Sequence, residues 1–215
     1  RFRRGEPLEH LTFLDILKEE DEEREKGDAS PIKAAHRIFD LSDLEDLRGF
    51  SGEWIVNSWP EGKRVIIERD DDDIKVTGAT ISSELEESVK EINEKNFVVD
   101  AIYDGKALHI VDLLRIATED VTEEMLKHRM RALRGSFESN ETVKTPQTIN
   151  TRQTDDEGLA DSVKEIEGGR VMLRDSESTY MEGEARHPKW VLLDNEKRVS
   201  VIIIGQRGQN NPVYR

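Results

Sequence analysis

The stretch Phe97-Val-Val-Asp100-Ala-Ile102-Tyr-Asp104-Gly105-Lys-Ala107-Leu-His-Ile-Val-Asp112-Leu-Leu114 decides the fold of this 215-residue chain. Two apolar runs flank Asp104-Gly105. An Asp-Gly pair supplies the positive φ that tight hairpin turns need, so strands over 97–102 and 107–113 are expected to pair antiparallel. Downstream, a helix is expected over 122–134, stopped by Gly135. Upstream, a capped, charged helix is expected over 83–96. Before it, residues 54–56, 64–68 and 74–77 read as short, partly alternating strands. Asp70 to Asp73 fall at the tip between the last two. These carboxylates read as a solvated turn, because calcium loops need spaced ligands and a Gly-assisted bend.

The flanks are less regular. Residues 6–26 look helical, with Leu8, Leu11, Leu14 and Leu17 before a charged run. Short helices are expected over 31–39 and 42–47, the second capped by Ser42. Residues 137–157 read as polar and irregular. A helix begun near Gly158 is expected to run to Ile166 and end at Gly168-Gly169. The last strands are placed at 171–174, 190–193 and 199–204. Strands without regular helical crossovers favour antiparallel sheets with helices packed on them, an α+β class.

Composition narrows the chemistry. Acidic residues outnumber basic ones 47 to 32, for a formal charge of -15. That balance argues against a surface covered in phosphate contacts, which need clustered Lys and Arg. With no cysteine, disulfides, thiolate catalysis and cysteine metal sites are excluded. The five histidines share no metal-ligand spacing, so no metal site is expected. No apolar run approaches the ~20 residues of a membrane span. No signal segment opens the chain, and a cytoplasmic protein is expected. The first residue is Arg1 rather than Met, as in a piece of a longer polypeptide.

Several short motifs share the order found in one superfamily. Phe97-Val-Val-Asp100-Ala-Ile102, then Leu108-His-Ile-Val-Asp112-Leu-Leu114, then a helix bearing Leu126, Arg129 and Leu133, resemble the middle of an ATP-dependent DNA ligase. There a strand ends in Asp-Gly-Glu, the next in Phe-Asp-Leu-Leu, and a helix carries an Arg. Gly169-Arg-Val-Met-Leu-Arg174 resembles the family's Glu-Gly-(hydrophobic)3-Lys strand, and the residues on to Tyr180 its trailing Ser-x-Tyr. The segment 183–190 resembles the approach to a final Trp-x-Lys strand. Trp59-Pro-Glu61-Gly62-Lys63-Arg64 stands where the family has Lys-x-Asp-Gly-x-Arg. The resemblance implies two antiparallel β-sheets with flanking helices, the nucleotidyltransferase fold. It also implies a division into a helical arm at 1–45, the ligase-like domain at 46–196, and the first strand of an OB-like segment or tail at 197–215.

The departures bear on activity. A ligase lysine attacks the α-phosphate of ATP, so an amine must face the nucleotide. By register Trp59 takes that lysine's place and Glu61 the aspartate's. Ile102 replaces the Asp-Gly-Glu carboxylate, Gly169 the next motif's Glu, and Arg174 its lysine. Leu192 and Asp194 replace the cationic triphosphate ligands, removing attraction and adding repulsion. Arg64 and Asp100 survive. Lys63 is an alternative nucleophile if the register slips, and Glu167 an alternative carboxylate. ATP and Mg are the expected cofactors if the cleft is functional. Arg64, Asp100 and Asp112 also suit strand-end salt bridges, Trp54 and Trp190 suit a core, and Trp59 suits a plug in the cleft. The resulting expectation is a catalytically inactive ligase-like module in DNA replication, repair or recombination, with DNA or a DNA-processing protein as partner. The alternatives are an active polynucleotide ligase with displaced residues and an acidic protein-interaction domain.

Overall fold

The Asp104-Gly105 hairpin forms as its sequence dictates. Gly105 adopts φ +96°, and the Asp104 carboxylate accepts the Lys106 and Ala107 amides at 2.8 and 2.7 Å. The computed structural model describes residues 33–38, 52–151, 156–167, 169–183, 186–194, 203–206 and 212–214. The helices expected over 6–26 and 42–47, and the boundaries near 45 and 196, lie outside these residues. The elements in chain order are β1 (Lys33–Ile38), β2 (Trp54–Ser58), β3 (Lys63–Asp70), β4 (Asp73–Thr77), α1 (Ser83–Lys90), β5 (Asn96–Tyr103), β6 (Leu108–Ile116) and β7 (Glu119–Asp120). Then come α2 (Leu126–Ser136), β8 (Val143–Lys144), β9 (Thr148–Thr151), α3 (Asp156–Glu165), β10 (Arg170–Asp175), β11 (Arg186–Asp194), β12 (Ile203–Gln206) and β13 (Pro212–Tyr214).

Two mixed α+β layers result. The first sheet has the order β4-β3-β5-β6-β7, with β8 also pairing β6; the second has the order β1-β11-β10-β2-β9. Pairing is antiparallel except for β1 on β11 and β8 on β6. Strand alternation divides the faces. On β3, Val65 and Ile67 enter a core with Leu85 and Val89 of α1 and Leu126, Met130 and Leu133 of α2. On the second sheet, Val56, Val171, Leu173, Val191 and Leu193 pack with Leu159 and Val163 of α3. A third cluster, of Leu114, Met172, Tyr180 and Trp190, joins side chains of both sheets. Among the described residues, no helix is long and apolar enough to cross a membrane.

Four local expectations are corrected. Residues 33–38, expected as helix, form β1, because the edge of β11 offers a parallel ladder and tertiary pairing overrides a weak helix propensity. The helix from Ser83 stops at Lys90 rather than running to 96. Buried Arg69 takes the Val89, Ile92 and Glu94 carbonyls at 2.9, 2.7 and 3.1 Å, turning the chain into β5. α2 starts at Leu126, not 122. Its first amides, Leu126 and Lys127, donate to the Ser178 and Ser176 carbonyls, each at 2.9 Å, so a distant segment supplies its N-terminal partners. Finally, the stretch 137–157 contains β8, β9 and the start of α3.

The hairpin turn carries a pH signature. Partial burial works against the Asp104 charge, but the Ala107 amide, the His109 ring and the Lys106 amide outweigh it and hold the carboxyl at about 2. A depressed value stabilises the fold above the ordinary carboxyl value of 3.8, and that contribution is lost as pH falls towards about 2. Asp104→Asn is therefore expected to be less stable than the parent at neutral pH, with the gap closing across that window. Urea-unfolding midpoints on both proteins would test this, and a gap independent of pH would exclude it.

Candidate functional site

Where the two sheets meet, the sequence brings together three guanidinium groups and two carboxylates. Asp100 on β5 and Asp112 on β6 are paired residues of the first sheet, and both are fully buried. Arg64 on β3 donates through Nε to Asp100 Oδ1 at 3.0 Å and through Nη2 to Oδ2. Tyr180 donates its hydroxyl to Asp100 Oδ2 at 3.1 Å. Arg129 on α2 grips Asp112 with Nε and Nη2, each at 3.0 Å, and donates Nη1 to the Ser178 carbonyl at 3.2 Å. Arg174 on β10 crosses from the second sheet. Its Nη1 reaches Asp112 Oδ2 at 3.2 Å, and its Nη2 reaches Asn57 Oδ1 at 2.7 Å and the Val111 carbonyl at 2.9 Å.

Aromatic rings complete the cluster. The Arg64 guanidinium carbon lies 5.2 Å from the Trp59 ring centre and 5.6 Å from that of Trp190. Arg174 lies 5.0 Å from the Trp190 ring, and the His187 ring stacks on Trp190 at 4.9 Å. These separations are within cation–π reach. The Trp190 indole N–H donates to Ser178 Oγ at 3.1 Å. Burial is the largest influence on the ionisable groups. It lowers Arg174 to about 10 and pushes the Tyr180 hydroxyl upward. It also raises Asp100 against the pull of Arg64, whereas at Arg64 the paired carboxylate outweighs it and holds the guanidinium above its ordinary value.

The residues picked out by sequence divide into groups. Trp59, Arg64, Asp100, Arg174 and Leu192 meet in or against this cluster. Ile102 is buried beside them, paired with Arg64 in the ladder. Gly62 marks a close approach: a Cβ there would sit 2.4 Å from the Tyr103 carbonyl oxygen. Exposed Glu61 pairs with Arg170 at 2.7 Å. With Trp59, Gly169, His109 and Glu167 it lines a cavity of about 240 Å³. Lys63 is exposed, and strand alternation sends it to the face opposite Arg64. Sequence reasoning passed over Asn57 and His187. Asn57 had a signal, a polar residue ending the apolar run Trp54-Ile-Val; His187, four residues beyond Gly183, had none.

Among the described residues this donor set does not fit ATP and magnesium. No described lysine joins Arg64 and Asp100, and the buried cations and carboxylates are engaged with one another. Among the described residues no cluster of three or more His, Cys, Asp or Glu is placed to hold a metal ion. One consequence is direct. Asp112→Asn leaves the Arg129 and Arg174 guanidiniums without their shared carboxylate, and breaking a buried pair this way costs about 3–5 kcal/mol. Denaturant unfolding is expected to show a loss of that order, and a loss under about 1 kcal/mol would refute the network's role.

No protein-family model matches the sequence, and no curated protein matches it. Solved structures do match in fold. The ligase domain of LigD from M. tuberculosis superimposes with a TM-score of 0.52 at 15% identity, over 76% of this chain and 58% of that one. Mycobacterial DNA ligase D, solved with ATP and MES, gives 0.54 at 15% identity, over 81% and 63%. A protein named Pmar-Lig_PreS3 gives 0.54 at 15% identity, over 77% and 46%. The chain thus spans less than two thirds of each of these relatives. At such identities the likeness shows the fold alone, and that fold is the one these ligase structures share.

Proposed function

We propose that this chain is a catalytically inactive ligase-like domain that serves as a binding or scaffold module in DNA replication, repair or recombination. One observation carries the reading. The position that the ligase resemblance gives to the attacking lysine is Trp59, whose ring packs on Arg64. An indole cannot displace pyrophosphate from ATP, because it offers no basic lone pair to attack phosphorus. Lys63 leaves β3 on the wrong face to replace it.

The neighbouring positions support the same reading. Ile102 offers no carboxylate to a metal or ribose, and Leu192 offers no charge to a triphosphate. Asp100 and Arg64 satisfy each other. What persists is the two-sheet scaffold, and the proteins that share it are DNA ligases by name. DNA, or a protein that processes it, is therefore the proposed partner. The net charge of -15 confines any phosphate contact to local basic patches.

Incubation with α-labelled ATP and magnesium, followed by denaturation, tests the proposal. No label is expected to remain on the chain. Label retained by the parent and lost in Lys63→Ala would establish an active nucleotidyltransferase with a displaced nucleophile instead.

A further inference from the structure

Trp59 does more than remove an amine. Its backbone N–H donates to the Arg170 carbonyl at 2.9 Å, which fixes the β2–β3 connection to β10. Its ring then meets Arg64 of the first sheet, and Arg64 in turn lies over Trp190 of the second. Trp190 is held by its own hydrogen bond to Ser178, by stacked His187 and by Arg174. The chain of contacts runs from one sheet to the other across the space that the ligase resemblance assigns to nucleotide. Two cavities lined by described residues flank this region. The cavity against Trp59 holds about 240 Å³, and a second, floored by Ile66, Val98 and Leu114, also holds about 240 Å³. Pockets for drug-sized ligands span about 300–1,000 Å³, and a nucleoside triphosphate is a large ligand on that scale.

Charge supports the same assignment. Arg64, Arg129 and Arg174 face Asp100 and Asp112, so the cluster carries one cation in excess. In a nucleotide-binding cleft such an excess attracts phosphate. Here the π-faces of Trp59 and Trp190 lie against it, and a desolvated cation over an indole is among the stronger pairings of this kind. Granted the non-catalytic reading, we propose that the Trp59–Arg64–Trp190 stack is a permanent internal substitute for nucleotide, tying the two sheets together across the cleft.

Thermal melting of the parent, Trp59→Phe and Trp59→Leu, each with and without magnesium ATP, tests this. Phe keeps a π-face and Leu does not; because the two also differ in volume, the same pair is measured on an Arg64→Met background, where a merely space-filling role would leave the gap between them unchanged. The parent is expected to melt at one temperature whether or not magnesium ATP is present. Trp59→Leu is expected to melt roughly 2–6 °C below Trp59→Phe, the shift that one cation–π contact gives in a chain of this size. Equal melting of the two variants, with no covalent label from ATP, would overturn the stack and leave the non-catalytic reading standing. A rise of several degrees in the parent on adding magnesium ATP would also overturn the stack, and only a covalent adduct would overturn the reading beneath it.

Discussion

Asp112 holds this structure together, because one buried carboxylate serves two guanidiniums that arrive from different layers. Arg129 reaches it from α2 and Arg174 from β10, while Asp112 itself belongs to β6. An isolated carboxylate in such a place would be protonated or expelled, since burial of an unpaired charge costs several kcal/mol. Geometry makes the pairing possible. The β5–β6 ladder passes from Asp100↔Asp112 to Ala101↔Ile110 and so skips Val111, a bulge that frees the Val111 carbonyl. Arg174 takes that carbonyl at 2.9 Å. The irregularity in the ladder and the crossing arginine are parts of one arrangement.

That arrangement lets a ligase-like fold hold its buried charges from within the chain. In a nucleotide-binding cleft, cations gathered between two sheets are neutralised by phosphate. In this chain the carboxylates neutralise most of the charge and the indoles lie against the remainder. Asn57 and Tyr180 fill hydrogen-bonding positions around it, donating to Asp100 or accepting from Arg174. Polar groups buried at the junction are thus largely satisfied from within the chain, as buried polar groups must be.

Much of this was legible in the sequence, for physical reasons. The Asp104-Gly105 turn is local chemistry, and it fixed the pairing of β5 and β6. The apolar spacing of Leu126 and Leu133 is helical, and both are buried. That position 59 holds Trp rather than Lys is plain in the sequence. What sequence missed depends on distant partners. β1 is a strand because β11 has an edge to fill, and α1 ends early because Arg69, from another strand, takes its carbonyls. α2 begins late because residues 176–178 meet its amides. Arg174 was read as a substituted nucleotide ligand; its pairing with Asp112 and Asn57 required knowing which sheet faces it.

The altered positions are best understood as a coupled set. Putting an amine back at position 59 alone would place another cation beside Arg64, in a cluster that already has three guanidiniums against two carboxylates. The charge would rise where the ligase resemblance would put a carboxylate but the chain has Ile102, and a phosphate ligand but the chain has Leu192. Removing the indole would also uncover Arg64 on the side that Trp59 now covers. On the proposed reading, the contacts that fill the cleft are the same ones that tie the two sheets together.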